Sequence, residues 1–68
     1  MTPQQHYAFT EIFELVTEED CTLEEAVILT TERLIEVHLM DEGYACFFAE
    51  QAADLVAEEL GLKALKAA

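Results

Sequence analysis

The sequence predicts an all-α fold, a compact three-helix bundle with helices over about 3–16, 23–40 and 44–60. Three observations carry this prediction. Apolar residues recur at helical spacing in three successive segments. Each segment opens on a residue suited to capping a helix. The connections between segments are a few residues long, with no repeat, linker or low-complexity tract. A chain of 68 residues is one domain, residues 1–68.

The first helix is expected from Pro3 to about Val16. Thr2 is its N-cap, Pro3 takes the first helical position and Gln5 completes a capping box. Phe9, Ile12, Phe13 and Val16 form one apolar stripe, with Glu11, Glu14 and Glu18 off it. Residues 17–21 read as a polar connection. The second helix opens with a second capping box, Thr22 to Glu25, and is expected to reach Met40, with Cys21 and Ala26 as a weak hydrophobic staple. Leu23, Ala26, Val27, Leu34 and Val37 share one sector, and Ile28, Ile35 and Leu39 a second. A helix with two apolar lobes is expected at the centre of the bundle. Glu25, Glu32 and Glu36 form its charged strip.

Asp41-Glu42-Gly43 is the second turn. Either Asp41 caps the third helix or Gly43 ends the second. The third helix is expected to bury Tyr44, Phe48, Ala49, Ala52, Leu55, Val56 and Leu60, its alanines permitting close packing. Gly61 fits a left-handed C-terminal position with Leu62 folding back, as in a Schellman motif. Lys63 and Lys66 follow, where cations complement the helix dipole.

The charge restricts function most. Fifteen acids face Arg33, Lys63 and Lys66, for a formal net charge of −12. Residues 1–60 hold all fifteen acids and one arginine, a formal −14. Such a surface repels nucleic acid and anionic lipid and attracts basic proteins. Disorder, the common fate of acidic chains, needs low hydrophobicity; here 53% of residues are apolar. That apolar surplus leaves a homodimer open. Met1–His6 lacks the basic and apolar regions of a signal peptide, and Cys21 and Cys46 make no disulfide framework, so a reducing, cytoplasmic setting is expected.

Chemistry is not expected. His6, Cys21, His38 and Cys46 are too scattered for zinc. The Glu18–Glu25 region lacks the glycine and register of a calcium loop. The absence of serine removes a serine nucleophile and a phosphopantetheine carrier. No catalytic residue, metal ligand or cofactor is assigned, and a non-enzymatic role is expected. His38 reads as a half-buried histidine bonded to a neighbour.

Glu50, Asp54 and Glu58 recur at i, i+4, i+8 on the third helix beside Phe47, with no Lys or Arg at helical spacing. A four-residue step rises about 6 Å, on the order of the spacing of phosphates along a nucleic-acid strand. Glu25, Glu32 and Glu36 repeat the pattern on the second helix, and Glu11, Glu14 and Glu18 on the first. A merely solvated surface interleaves lysines. These seven residues, Glu50, Asp54, Glu58, Phe47, Glu25, Glu32 and Glu36, are the candidate partner-binding set.

By these acidic rows on a compact chain almost free of lysine, the sequence resembles the small acidic helical inhibitors of phages and other mobile elements, the anti-CRISPR and anti-restriction proteins that mimic DNA. The resemblance implies occlusion of a basic DNA-binding groove, for instance in the CRISPR surveillance subunit that reads the protospacer-adjacent motif. The competing expectation is a helical oligomerisation or regulatory module, antitoxin-like, that binds through apolar surface. Phe47 discriminates the two.

Overall fold

The computed structural model describes residues 2–62 and consists, among them, of three helices and no strand. They are α1 (Pro3–Glu18), α2 (Leu23–Glu36) and α3 (Glu42–Leu60), and every pair is in contact. The bundle expected from the sequence is the fold. No helix among the described residues is long and apolar enough to cross a membrane.

The helix starts follow from local chemistry. Thr2 Oγ1 accepts from the Gln5 N–H at 3.2 Å, and Gln5 Oε1 accepts from the Thr2 N–H at 2.8 Å. Thr22 and Glu25 repeat the exchange, with both distances 3.1 Å. Each box satisfies two backbone donors that the first turn leaves open. Asp41 caps α3 by accepting from the Gly43 N–H at 3.1 Å. Gly43 therefore lies in the first turn of α3 and does not end α2.

The helix ends show one device used twice. After α1, Asp20 takes a left-handed φ of 54°, and the Cys21 N–H returns to the Leu15 carbonyl at 3.0 Å. After α2, Leu39 takes the same φ of 54°, and the Met40 N–H returns to the Leu34 carbonyl at 3.1 Å. In both cases the returning residue, Cys21 or Met40, packs its side chain on the core. This is why α2 stops at Glu36 and not at Met40. Burying Met40 reverses the chain at a position where local propensity would continue the helix. Gly61 closes α3 at φ 69°, with the Leu62 N–H on the Ala57 carbonyl at 2.7 Å, the Schellman closure its sequence implied. The expected roles of Lys63 and Lys66 lie outside the described residues.

The core is built largely of small side chains. Of eleven buried apolar residues seven are alanine: 8, 26, 45, 49, 52, 53 and 57. Ile12, Leu15, Leu34 and Val56 supply the bulk, and Thr30 is fully buried among them. Tyr7, Phe9, Phe13, Val27, Ile35, Phe48 and Leu60 form a half-buried shell. Tyr7 rests on His38, ring centroids 4.4 Å apart, and Glu11 pairs with Arg33. The falling numbers on α2 against rising numbers on α1 make these two helices antiparallel.

Three expectations about facing are corrected. On α1 the buried seam is Ala8, Ile12 and Leu15, while Phe9, Phe13 and Val16 flank it. On α2 only Ile35 of the second lobe packs on the core, while Ile28 and Leu39 are exposed, as is Val37 of the first lobe. The helix is thus not central; that place belongs to α3, which supplies six of the eleven buried apolar residues and packs more extensively on α1 and α2 than they do on each other. On α3 Tyr44 and Leu55 face solvent. At ~100° per residue they lie about 140° and 120° from Ala49. An arc that sank Tyr44, Phe48 and Leu55 would also take in Glu59 and Gln51. Past the first turn, where Glu42 projects into solvent at the start of the helix, the arc through Ala45, Ala49, Ala53 and Val56 contains no charged residue. The cost of burying an unpaired carboxylate exceeds the gain from two large apolar side chains, so the alanine face is the one buried.

Candidate functional site

Twelve of the fifteen acids are exposed, and the other three, Glu11, Glu50 and Asp54, are half-buried. Two of these three belong to the candidate row on α3. Glu50 accepts a hydrogen bond from Cys46 Sγ at 3.3 Å. Asp54 has one carboxylate oxygen, Oδ1, shielded from solvent with no hydrogen-bond partner. Glu58 is exposed. The α3 row therefore presents its charge unevenly.

The row on α2 is better presented. Glu25, Glu32 and Glu36 are all exposed, on the far side of the helix from Thr30, between about 120° and 160° away. Glu25 also holds the capping box. The row on α1 loses its first member to Arg33, because the Glu11–Arg33 pair crosses between helices. Among the described residues Arg33 is the one Lys or Arg, facing fifteen acids.

The densest charge lies where the row on α1 ends in Glu18 and the row on α2 begins with Glu25. Glu18, Glu19, Asp20, Glu24 and Glu25 are exposed around the α1–α2 turn, five acids in eight consecutive positions. Counting acids along the chain finds this cluster, whereas a search for helical rows takes in only its two ends. Cys21 sits half-buried at its centre. Burial pushes its thiol above the ordinary value, and the carboxylates of Glu25, Glu19 and Asp20 push it further. Such a thiol is a poor nucleophile at neutral pH. Among the described residues no group of three or more His, Cys, Asp or Glu side chains is placed to hold a metal ion.

The other end of α2 carries exposed apolar side chains. Leu39 is 85% exposed, Val37 67%, Tyr44 66% and Phe47 52%. Phe47, expected outside the core, lies there, its ring tilted against Phe48 with centroids 6.2 Å apart. Asp41, Gly43, Tyr44 and Phe47 together line a shallow recess at the start of α3. A second, more polar recess is lined by Gln5, Gln51, Asp54, Leu55 and Glu58. His38 lies just after α2, where its neighbour is the Tyr7 ring. The two ends of α2 thus differ in kind: acids crowd the first, and exposed apolar groups edged by Glu36, Asp41 and Glu42 occupy the second, about 20 Å away along a 14-residue helix. No protein-family model matches the chain, and no curated protein or solved structure matches it either.

Proposed function

We propose that this chain is a protein-binding inhibitor that occupies a basic surface with which another protein holds nucleic acid. The observation that supports this reading most is the charge imbalance: twelve exposed acids on residues 2–62, against one arginine already engaged by Glu11. Opposite charges steer association over a screening length of about 8–10 Å at moderate salt. Once docked, carboxylates of α2, of the α1–α2 turn and of Glu58 take the Lys and Arg side chains that otherwise bind phosphate. No reaction is assigned to the chain, and it works in the cytoplasm. In its most specific form the target is the DNA-reading subunit of a CRISPR surveillance complex, and the chain is an anti-CRISPR protein of phage origin.

A second reading is favoured by the exposure of Leu39, Tyr44 and Phe47. In it the chain is an interaction module that binds through apolar surface, and its charge serves solubility.

Affinity capture from host lysate, followed by competition against DNA, separates the two. Inhibition by charge requires that binding weaken steeply with salt. It requires also that Glu32→Gln with Glu36→Gln, or Glu50→Gln with Asp54→Gln and Glu58→Gln, displace DNA less well than wild type. The α2 pair is expected to cost more, because both its side chains are exposed whereas Glu50 and Asp54 are half-buried. A captured partner without a basic nucleic-acid-binding surface, or Gln variants that displace DNA as well as wild type, would overturn the first reading.

A further inference from the structure

We propose that the corner between α2 and α3 docks an amphipathic helix of a basic partner protein. The apolar side of that helix would seat on Leu39, Tyr44 and Phe47, with its lysines or arginines on Glu36, Asp41 and Glu42. This rests on the reading that the partner is basic, and it names the contact that gives the complex its specificity.

Leu39 is the first argument. A left-handed φ of 54° suits Gly, and next Asn or Asp, because a Cβ crowds the following carbonyl. Asp20 occupies the equivalent place after α1. Leucine is a poor choice there, and at 85% exposure its side chain gains little from the fold. The burial of Met40 and its hydrogen bond to Leu34 hold the turn but do not call for leucine at its strained position, and strained residues of this kind concentrate at functional sites. Leu39 fixes a large apolar side chain on a tight, hydrogen-bonded turn, where little entropy is lost on binding.

The recess is the second. Tyr44 and Phe47, one turn apart on α3, form its walls, and Gly43 beside them adds no side chain. Side chains at i and i+3 on a rigid helix are the anchors by which grooves receive an amphipathic helix.

Charge selects the occupant. Glu36, Asp41 and Glu42 are exposed along the chain on either side of Leu39, and among the described residues no Lys or Arg answers them. A second copy docked here would bring the same three acids against their own counterparts, or against another part of a surface that is acidic throughout. Like charges across an interface oppose association. A helix with a basic rim removes that repulsion and uses it.

The test is a titration of the intact chain, followed by backbone amide NMR, with model peptides of leucine and lysine. One peptide carries leucine at i, i+3, i+4 and i+7; a second has the same composition scrambled; a third keeps the pattern with glutamate for lysine. The patterned lysine peptide is expected to bind and to shift Leu39, Gly43, Tyr44 and Phe47. Leu39→Gly and Phe47→Ser are each expected to weaken it by about tenfold while helicity is retained. Leu39→Gly relieves the backbone, so a loss of binding in that variant cannot be blamed on misfolding. Equal binding of the scrambled peptide, with shifts centred on residues 18–25, overturns the docking site and leaves the basic-partner reading standing. Equal binding of the glutamate peptide overturns the acidic rim. A homodimer dissociated by Leu39→Gly makes a second copy the occupant and overturns the proposal. If neither lysine peptide binds at all, the basic-partner reading falls with it.

Discussion

Thr30 offers a test of the core itself. It is one of the four largest fully buried side chains, with Ile12, Leu34 and Val56. Its Oγ1 is shielded from solvent and has no hydrogen-bond partner. A buried hydroxyl without a partner costs about 1–3 kcal/mol. Thr30→Val keeps the branched shape, replaces the hydroxyl by a methyl and leaves helix propensity nearly unchanged. The variant is expected to gain about 1–2 kcal/mol. For a domain this small, 1 kcal/mol moves Tm by about 4–8 °C, so a rise on the order of 5–10 °C is expected. Thr30→Ser keeps the hydroxyl and deletes one buried methyl, and should lose about 1 kcal/mol. Thermal and urea unfolding followed by far-ultraviolet circular dichroism reads both, with an unchanged urea slope showing that the unfolded state is not altered. A fall in Tm for Thr30→Val would refute the reasoning. It would mean that the hydroxyl is bonded in solution, to the Ala26 carbonyl one turn back or to an internal water, and that the Val variant discards that bond.

Leu39→Gly removes a left-handed strain of about 1–2 kcal/mol against an entropy cost of about 0.5–1 kcal/mol for glycine in the unfolded chain. A net gain of roughly 0.5–1 kcal/mol in urea unfolding is expected, and a loss would show that the exposed leucine packs on the fold. Added salt should raise Tm, because it screens the repulsion within a chain of net charge −12; a falling Tm would mean that the Glu11–Arg33 pair outweighs that repulsion. A thiol reagent at mildly alkaline pH should modify exposed Cys46 before Cys21, whose raised pKa keeps it protonated. The same shift has a sign for stability. Cys21 contributes fully below the ordinary thiol pKa, and the contribution is lost as pH rises through the higher native value. Equal modification rates would contradict the burial and the charge around Cys21.

The caps were legible because they are local. Thr2 with Gln5, Thr22 with Glu25, Asp41, and Gly61 with Leu62 each need only neighbours within a turn. The facing of the helices was less so, because alanine weighs little in an apolar stripe and still wins the core. A stripe reading favours Phe9 and Tyr44 by size, whereas packing chose Ala8 and Ala45. The end of α2 was illegible for another reason. Leu39 carries no signal for a left-handed turn, and what reverses the chain is the tertiary burial of Met40. Of the candidate site, the number of acids was legible and their presentation was not. Glu11 is paired across helices and Asp54 is half sunk, and neither follows from spacing along one helix.

The acids of this chain therefore divide by what the fold demands of them. Glu59 lies within the arc that would bury Tyr44, Phe48 and Leu55, and its charge helps keep that face out of the core. Glu25 and Asp41 hold helix starts, and Glu11 holds α1 to α2. Each of these has a structural reason to be polar, and most could be met by an uncharged residue or balanced by a nearby lysine. Asp20 suits the left-handed turn after α1, and Glu24 complements the dipole at the start of α2, whereas Glu18, Glu19, Glu32, Glu36 and Glu58 have no such reason among the contacts of the fold. They add repulsion to a small domain whose core is mostly alanine and so buries little area per residue. A cationic partner that neutralises them would stabilise the folded chain by linkage, by RT ln(1 + [L]/Kd), about 2.7 kcal/mol at a hundredfold excess over Kd. The excess charge then has an energetic counterpart: it weakens the chain alone and is relieved in the complex. Variants that neutralise Glu32 and Glu36 should accordingly raise the stability of the free chain and lower the stabilisation that a basic partner confers. Solubilising charge alone predicts the first effect without the second.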